Sequence, residues 1–377
     1  MAVDVVIVGA GPAGAAAALS AIARRPSVRV VLMDRDRFPR DKTCGDGIGP
    51  VGVAALAELG VSHVLSSATR VDQLRITTAA RVSAAGHVAA PGYVLPRKVL
   101  DAALVEAATA RGAELRHERV MRLAPGRGGV TVNGHLTAST VIGADGVHSV
   151  TRRAIGAGTH PRRHRAVSLR AYATSPTTEH ELIFRLPHEP WPSYAWAFPL
   201  GEGRANVGVV LLDGRTRASR STLFGYLTEL LPEWNSLPHT LQGFHLPLSP
   251  GRPALARGRV LLAGDAAGLV NPVSGEGIAT ALVSGMLAGR SAVDDPVEPG
   301  RAYRNAMART LGRHLRHSGW AARVMTSRAW ADATVAAANT SPRVFAALAE
   351  LTVGTGPLPL GVGARIAVQR ARPISRS

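Results

Sequence analysis

The sequence predicts an α/β protein in which a mostly parallel sheet is interrupted by a β-rich insertion and followed by a helical C-terminal region. Three observations carry this. A β-branched run at the N-terminus leads into a glycine turn and then a helix. Two later apolar strands run into Gly-Asp turns near Gly143 and Gly264. Between them, residues 76–96 and 166–254 alternate apolar and polar positions and carry turn residues, the pattern of half-buried strands. The expected division is a discontinuous first domain at 1–75, 97–165 and 255–295. A second, β-rich domain is expected at 76–96 and 166–254, and a helical region at 296–377, where residues 301–325 and 342–354 show helical periods.

The composition bounds the answer. A chain of 377 residues is too long for one small core and suggests two packed units. Hydrophobic residues at 46% against 19% charged exclude a disordered chain. The net charge of +18 comes from arginines scattered along the whole chain, which reads as a dispersed basic surface and not a nucleic-acid-binding arm. The single cysteine excludes an intrachain disulfide and a cysteine-based zinc site. His314 and His317 have ligand-like spacing, but neighbouring arginines and no third ligand make them a solvated helix face, so no metal is expected. The apolar run Val5–Ala23 has no basic residues ahead of it and is broken by glycines, which suits a buried strand and turn better than a membrane span or signal peptide. A cytoplasmic location is expected, with peripheral contact to a membrane left open.

The N-terminal elements carry the first chemistry. In "VDVVIVGAGPAGAAAALSAIA", Gly9, Gly11 and Gly14 form G-x-G-x-x-G between a strand and a helix. Gly9 permits a tight turn, Gly11 leaves room for a pyrophosphate, and Gly14 lets the helix pack close to the strand. Pro12 and Ala13 open that helix, whose free N–H groups suit phosphate oxygens. The next strand, "VRVVLMD", ends at Asp34, followed by Arg35. An acid there accepts a bond from a ribose hydroxyl and repels a 2′-phosphate, so the nucleotide is FAD or NAD and the domain is Rossmann-like.

Two later segments favour FAD. "ASTVIGADGVHSVTRRAIG" places Gly143, Asp145, Gly146, Ser149 and Arg152 after a strand. "GRVLLAGDAAGLVNPVSGEGIATALVSG" places Gly264 and Asp265 at a strand end and Gly275, Gly277 and Ile278 at a helix start. Asp265 can hold a ribityl hydroxyl, and the helix N-terminus can face the flavin where charge develops on reduction. Together these segments resemble the FAD signatures of the p-hydroxybenzoate-hydroxylase-like flavoprotein monooxygenase superfamily. That resemblance implies non-covalent FAD. It also makes Arg97, at the start of "RKVLDAALVEAA", an arginine near the flavin, with Arg37 as a second candidate.

Two stretches narrow the resemblance. "FPRDKTCGDGIGP" and "SYAWAFPLGEGRANVGV" are similar to segments of the geranylgeranyl reductase family. The similarity spans residues 1–290. It implies reduction of carbon–carbon double bonds in a prenyl chain or related hydrophobic metabolite. The alternative is a monooxygenase or dehydrogenase tailoring a specialised metabolite, as relatives of this bacterial kind do. On the first reading the loop from Pro39 to Pro50 lies beside the flavin, and Gly45, Gly47 and Gly49 let its backbone approach the ring. Reducing an alkene needs hydride at one carbon and a proton at the other. Cys44 is the candidate proton donor, with an inert buried filler as its other reading. Asp46 is expected to orient a water or bond the loop, and Lys42 to favour a thiolate or lie on the surface. Tyr194, Trp196 and Phe198 alternate at strand period and are expected to face the substrate. With no second G-x-G-x-x-G after a strand, the reductant is expected to be NAD(P)H bound transiently or a partner redox protein.

Overall fold

The computed structural model describes residues 2–126, 128–174, 180–212 and 218–371. Two sheets organise it. The first runs in the order Ala256–Arg257, Val260–Leu262, Leu136–Gly143, Ala2–Val8, Val30–Asp34, Glu114–His117, with a hairpin of Leu123–Pro125 and Val130–Val132 attached to Leu136–Gly143. Its central strands pair in parallel. Val5, Val6 and Ile7 are wholly buried, which is why this strand reads as a continuous apolar run instead of an alternating one.

The helix Pro12–Arg24 leaves this sheet at the glycine turn and packs along the helix Ile278–Asp294. Small residues set that contact. A Cβ on Gly285 would lie 2.1 Å from the Ala13 carbonyl oxygen, and one on Gly289 would lie 2.2 Å from that of Ala17. The two backbones therefore touch, which holds the N-termini of both helices on one wall.

The second sheet runs Asn235–Ser236, Arg165–Thr174, Arg204–Leu212, Ser193–Gly201, Glu181–Leu186, Thr69–Thr78, Ser83–Val94, Gly47–Ile48, with Gln242–Pro247 also on Arg165–Thr174. Most pairs are antiparallel, but Glu181–Leu186 joins Thr69–Thr78 in parallel. Thr69–Thr78 crosses the expected boundary at residue 76. The two-residue strand Gly47–Ile48 brings the cysteine loop to this sheet, where it pairs with Tyr93 and Val94. A helix, Arg220–Leu230, interrupts the β-rich stretch behind Ser219, whose hydroxyl accepts the Thr222 N–H at 3.1 Å.

The helical period of 301–325 divides at Leu311 into Pro299–Thr310 and Gly312–Val324. Arg328–Thr340, Pro342–Thr352 and Leu360–Ala371 follow. Val335, Val344, Phe345 and Leu348 pack in one apolar cluster with Leu74, Ile76, Phe184 and Trp196 of the second sheet. His314 and His317 are not a solvated face. His314 is 2% exposed with Nδ1 3.3 Å from the Gly356 carbonyl, and His317 Nδ1 accepts the Leu358 N–H at 2.9 Å. Both rings fasten the segment before the last helix. Among the described residues no helix is long and apolar enough to cross a membrane.

Candidate active site

A cavity of about 710 Å³ lies between the two sheets, from the Gly9–Gly14 turn past the 40–50 loop to the strand Ser193–Gly201. At its first end Gly9 takes φ +97°, and a Cβ there would lie 2.3 Å from the Ala144 carbonyl oxygen. A Cβ on Gly14 would lie 1.8 Å from the Gly9 carbonyl oxygen, so this glycine closes the turn on itself behind the cavity wall. Gly11 caps the helix without any side-chain bond, and no acidic residue stands in the first turn. A Cβ on Gly11 would be 3.6 Å from Arg40 and 3.8 Å from Arg97. Two guanidiniums and a free helix N-terminus therefore converge on one spot.

Arg97 is 4% exposed and donates twice to Asp101, at 2.6 and 2.7 Å. Asp101 is wholly buried and also holds Arg40 at 3.3 Å. Arg40 Nε has no hydrogen-bond partner and lies 3.9 Å from the Asp36 carboxylate, beyond hydrogen-bond reach. Arg40 and Asp101 were not singled out from the sequence, whereas Arg37 is exposed. Asp34 lines the cavity, but its carboxylate also accepts the N–H groups of Ala10 at 2.7 Å and Asp36 at 3.0 Å. Arg35 reaches only the rim, with its side chain 64% exposed beside Asp36.

In the middle of the cavity stand Asp145, Asp265, Gly275, Gly277 and Ile278. Asp145 accepts from Ser149 at 2.5 Å and from Thr151 at 3.1 and 3.2 Å, which builds the turn after its strand. Burial nevertheless holds its pKa above the ordinary value. Asp265 accepts from Lys42 Nζ at 3.0 Å. Burial works against this carboxylate, but Lys42, Arg97 and His160 outweigh it and hold its pKa low. Lys42 is thus paired with Asp265 and partly buried, and its charge also favours the Cys44 thiolate without outweighing burial. Gly264 lies off the wall, with φ +55° and its N–H donated to Ser284 Oγ at 3.0 Å. Glu276, absent from the sequence reading, faces the cavity and accepts the Ala279 N–H at 2.7 Å. Burial pushes its carboxyl up to about 7.

Tyr194, Trp196 and Phe198 form one wall at the far end, joined by Phe184 through edge-on ring contacts of 5.5 and 5.3 Å to Tyr194 and Phe198. Trp196 fits because Gly208 stands opposite it; a Cβ there would lie 2.1 Å from the indole. The Tyr194 hydroxyl donates to the Ser274 carbonyl. A Cβ on Gly275 would lie 2.5 Å from that hydroxyl, so this glycine makes room for the tyrosine. Cys44 is half-buried on the same cavity. Burial raises its thiol pKa and Asp46 adds to this, against the opposing pull of Arg97 and Lys42, so it stays protonated at neutral pH.

The glycines of the loop differ in what they admit. Gly45 meets Phe198 and Trp196, at 3.2 and 3.3 Å from where its Cβ would be. Gly49 lines the cavity, and on its Cβ side it meets the Val353 carbonyl oxygen, 2.0 Å from such a Cβ, so it also seats the helix end at Thr352. Asp46 is wholly buried with φ +64° and lies behind the cavity wall. Its carboxylate accepts from Asn206 at 2.7 Å, Tyr172 at 3.2 Å and the Arg97 N–H at 3.2 Å. Burial raises it to about 6, against the pull of Arg170, Asn206 and Arg97. It holds the loop in place and cannot reach a substrate.

The FAD binding domain family model matches residues 2–223. Menaquinone reductase of Mycolicibacterium smegmatis is 34% identical over 76% of this chain and 75% of its own length. The chain belongs to the geranylgeranyl reductase family of FAD-dependent oxidoreductases. Digeranylgeranylglycerophospholipid reductase of Methanosarcina acetivorans is 29% identical over 77% of this chain and 75% of its own length. A geranylgeranyl bacteriochlorophyll reductase-like protein of Thermoplasma acidophilum shares the fold with a TM-score of 0.81, at 21% identity over 98% of this chain and 96% of that one. This family member is a flavoenzyme with FAD as its cofactor. The cavity fits that group: the uncapped helix, the two arginines beside Gly11 and the unpartnered Arg40 Nε bring donors suited to a pyrophosphate to one spot.

Proposed function

We propose that this enzyme reduces carbon–carbon double bonds in a prenyl chain carried by a quinone, a lipid or a related hydrophobic metabolite. The observation that carries the reading is a protonated thiol, Cys44, on the same cavity as a phosphate-type donor cradle and an aromatic wall. Arg40, Arg97 and the Pro12 helix N-terminus would hold the FAD pyrophosphate. Asp34 would take a ribose hydroxyl, Asp265 a ribityl hydroxyl, and the Ile278 helix N-terminus would face the flavin. When bound, FAD supplies the electrons for the reduction, which it receives from a nicotinamide nucleotide or a redox protein. Cys44 holds the proton that the second alkene carbon needs, because burial keeps it a thiol and not a thiolate. Phe184, Tyr194, Trp196 and Phe198 exclude water and grip the apolar chain. The names of the two reductases above support this substrate class.

Contact with a membrane fits the same reading. No acidic residue occurs from Pro299 to Ala331. On the helix Gly312–Val324, Arg313, Arg316, Trp320 and Arg323 share the exposed face, at helical spacing. Among the described residues none of these arginines pairs with a carboxylate, and Trp320 is 52% exposed beside an apolar groove that includes Trp330, Leu358 and Ile366. Basic side chains around an exposed tryptophan suit an anionic lipid surface.

The test is to reduce the enzyme without oxygen, add polyprenyl quinones or lipids, and weigh the products. The expected product gains two hydrogens per double bond and needs no oxygen. A product that forms only with oxygen and gains an oxygen atom would overturn the reading. Cys44→Ser should keep FAD and accept electrons, but reoxidation by the alkene should slow by about 10²–10⁴-fold, the worth of a positioned acid. Normal alkene-dependent reoxidation in that variant would remove the thiol from the reaction.

A further inference from the structure

We infer that Asn206 is the positioning residue that locks the Cys44 loop to the aromatic wall and thereby sets the reactivity of the thiol. Asn206 is wholly buried on the strand Arg204–Leu212, opposite Phe198. Its Nδ2 donates to the Cys44 carbonyl at 2.8 Å and to Asp46 Oδ2 at 2.7 Å. Its Oδ1 accepts the Trp196 Nε1–H at 3.0 Å. The partners fix the amide orientation: a carbonyl and a carboxylate can only accept, and an indole N–H can only donate. Turned over, the amide would lose all three bonds. Both hydrogens thus go to the loop, on either side of Gly45, and the oxygen goes to the wall.

The chemistry at this position admits few substitutes. An aspartate of the same shape could not donate to the Cys44 carbonyl when ionised, and it would face the Asp46 carboxylate. A leucine would leave a buried carbonyl, a buried indole N–H and part of Asp46 unpaired. Asn206 itself is off the cavity wall, so it acts through Cys44 and Trp196. Gly45 then lies close under Phe198 and Trp196, which leaves the loop no slack on that side. Asp46 anchors the same loop from beyond, through Tyr172, the Arg97 N–H and its own carbonyl, which accepts the Leu95 N–H at 2.9 Å.

The single cysteine makes this directly measurable, because alkylation of the folded protein by iodoacetamide, read by intact mass, reports Cys44 alone. Asn206→Ser should alkylate about tenfold faster at pH 8, the change that one unit of thiol pKa produces as the loop loosens and burial falls. Its rate–pH curve should shift down toward the ordinary thiol value. Tyr172→Phe, which removes a different donor to Asp46 and no bond to the Cys44 carbonyl, should shift the curve much less than Asn206→Ser does. An Asn206→Ser protein with native circular dichroism and cooperative unfolding but a wild-type alkylation curve would overturn the inference. So would a Tyr172→Phe curve shifted as far as that of Asn206→Ser. If Asn206→Ser does not fold, Trp196→Phe removes the bond that Asn206 accepts, and an unchanged curve there refutes the lock. The effect on turnover rests on the proposed role of Cys44. Alkylation needs no turnover, so the lock and that role can fail separately.

Discussion

Asp101→Asn tests the arginine cradle most sharply. Asp101 is wholly buried and carries two bonds from Arg97 and an ion pair with Arg40. Asparagine keeps the shape but turns an N–H₂ group against one guanidinium nitrogen. Arg40 retains carboxylates at 3.9 Å, from Asp34 and Asp36. Arg97 has no second ion-pair partner among the described residues, and at 4% exposure it meets water only at the cavity wall, which replaces little of the lost partner. Removing one partner of such a pair costs about 3–5 kcal/mol. For 377 residues, at about 2.1 cal/mol/K of unfolding entropy each, that lowers the melting temperature of the apoprotein by about 4–6 °C. Saturating FAD should then raise the melting temperature of the variant more than that of the wild type, because phosphate charge would reach the arginine that lost its carboxylate. Scanning calorimetry of both proteins, with and without FAD, gives all four values. A loss below about 1 kcal/mol, the worth of an exposed pair, would refute the buried-charge argument. Equal stabilisation by FAD would refute the cradle.

Asp265→Ala should weaken FAD binding about tenfold to a hundredfold, the worth of a charged hydrogen bond of about 1.5–3 kcal/mol, as read by flavin fluorescence titration. An unchanged Kd would place the ribityl chain elsewhere. Glu276→Gln keeps an acceptor for the Ala279 N–H but cannot ionise. The folded wild type holds this carboxyl near pH 7, above its ordinary value, so it loses stability as pH rises through that range. The variant should therefore match the wild type at pH 4 and exceed it at pH 8 in urea unfolding; a constant difference across that range would contradict the buried assignment. Replacing Arg313, Arg316 and Arg323 together with glutamine should cost about 3 kcal/mol of binding to mixed phosphatidylglycerol–phosphatidylcholine vesicles, roughly a hundredfold, at about 1 kcal/mol per basic residue. Equal co-sedimentation of variant and wild type would remove that face from membrane contact.

Local pattern carried the sequence reading where chemistry is local. Gly9 and Gly14 are needed by a turn of six residues, and the alternation of Tyr194, Trp196 and Phe198 follows from strand geometry, so short windows revealed both. The residues that were missed act across the fold. Asp101 meets Arg40 only because the helix Arg97–Ala110 is laid beside the cysteine loop. Asn206 meets Cys44 only after the second sheet has formed. No spacing rule joins either pair. Gly49 and Gly275 show the converse. Both stand in motifs expected at a flavin, yet one seats a helix end and the other admits a tyrosine hydroxyl. Glycine marks a close approach, and the sequence does not say what approaches. His314 and His317 were misjudged because flanking arginines suggested solvent, while the helix turns them inward onto a segment about forty residues away.

The order in which the strands of the first sheet occur has a consequence for how the protein is made. The strand Leu136–Gly143 borders Ala2–Val8 on one side and Val260–Leu262 on the other. Its second neighbour therefore leaves the ribosome more than a hundred residues later, roughly 6–25 s at ordinary synthesis rates. During that interval the outer edge at Val141–Gly143, beyond the part of the strand paired with Val130–Val132, stays unpaired while the later strands of the second sheet, from Arg165 onward, are being made. A nascent chain of this protein thus needs shielding from its own copies on the same messenger, and slowing translation beyond residue 143 should lower its soluble yield.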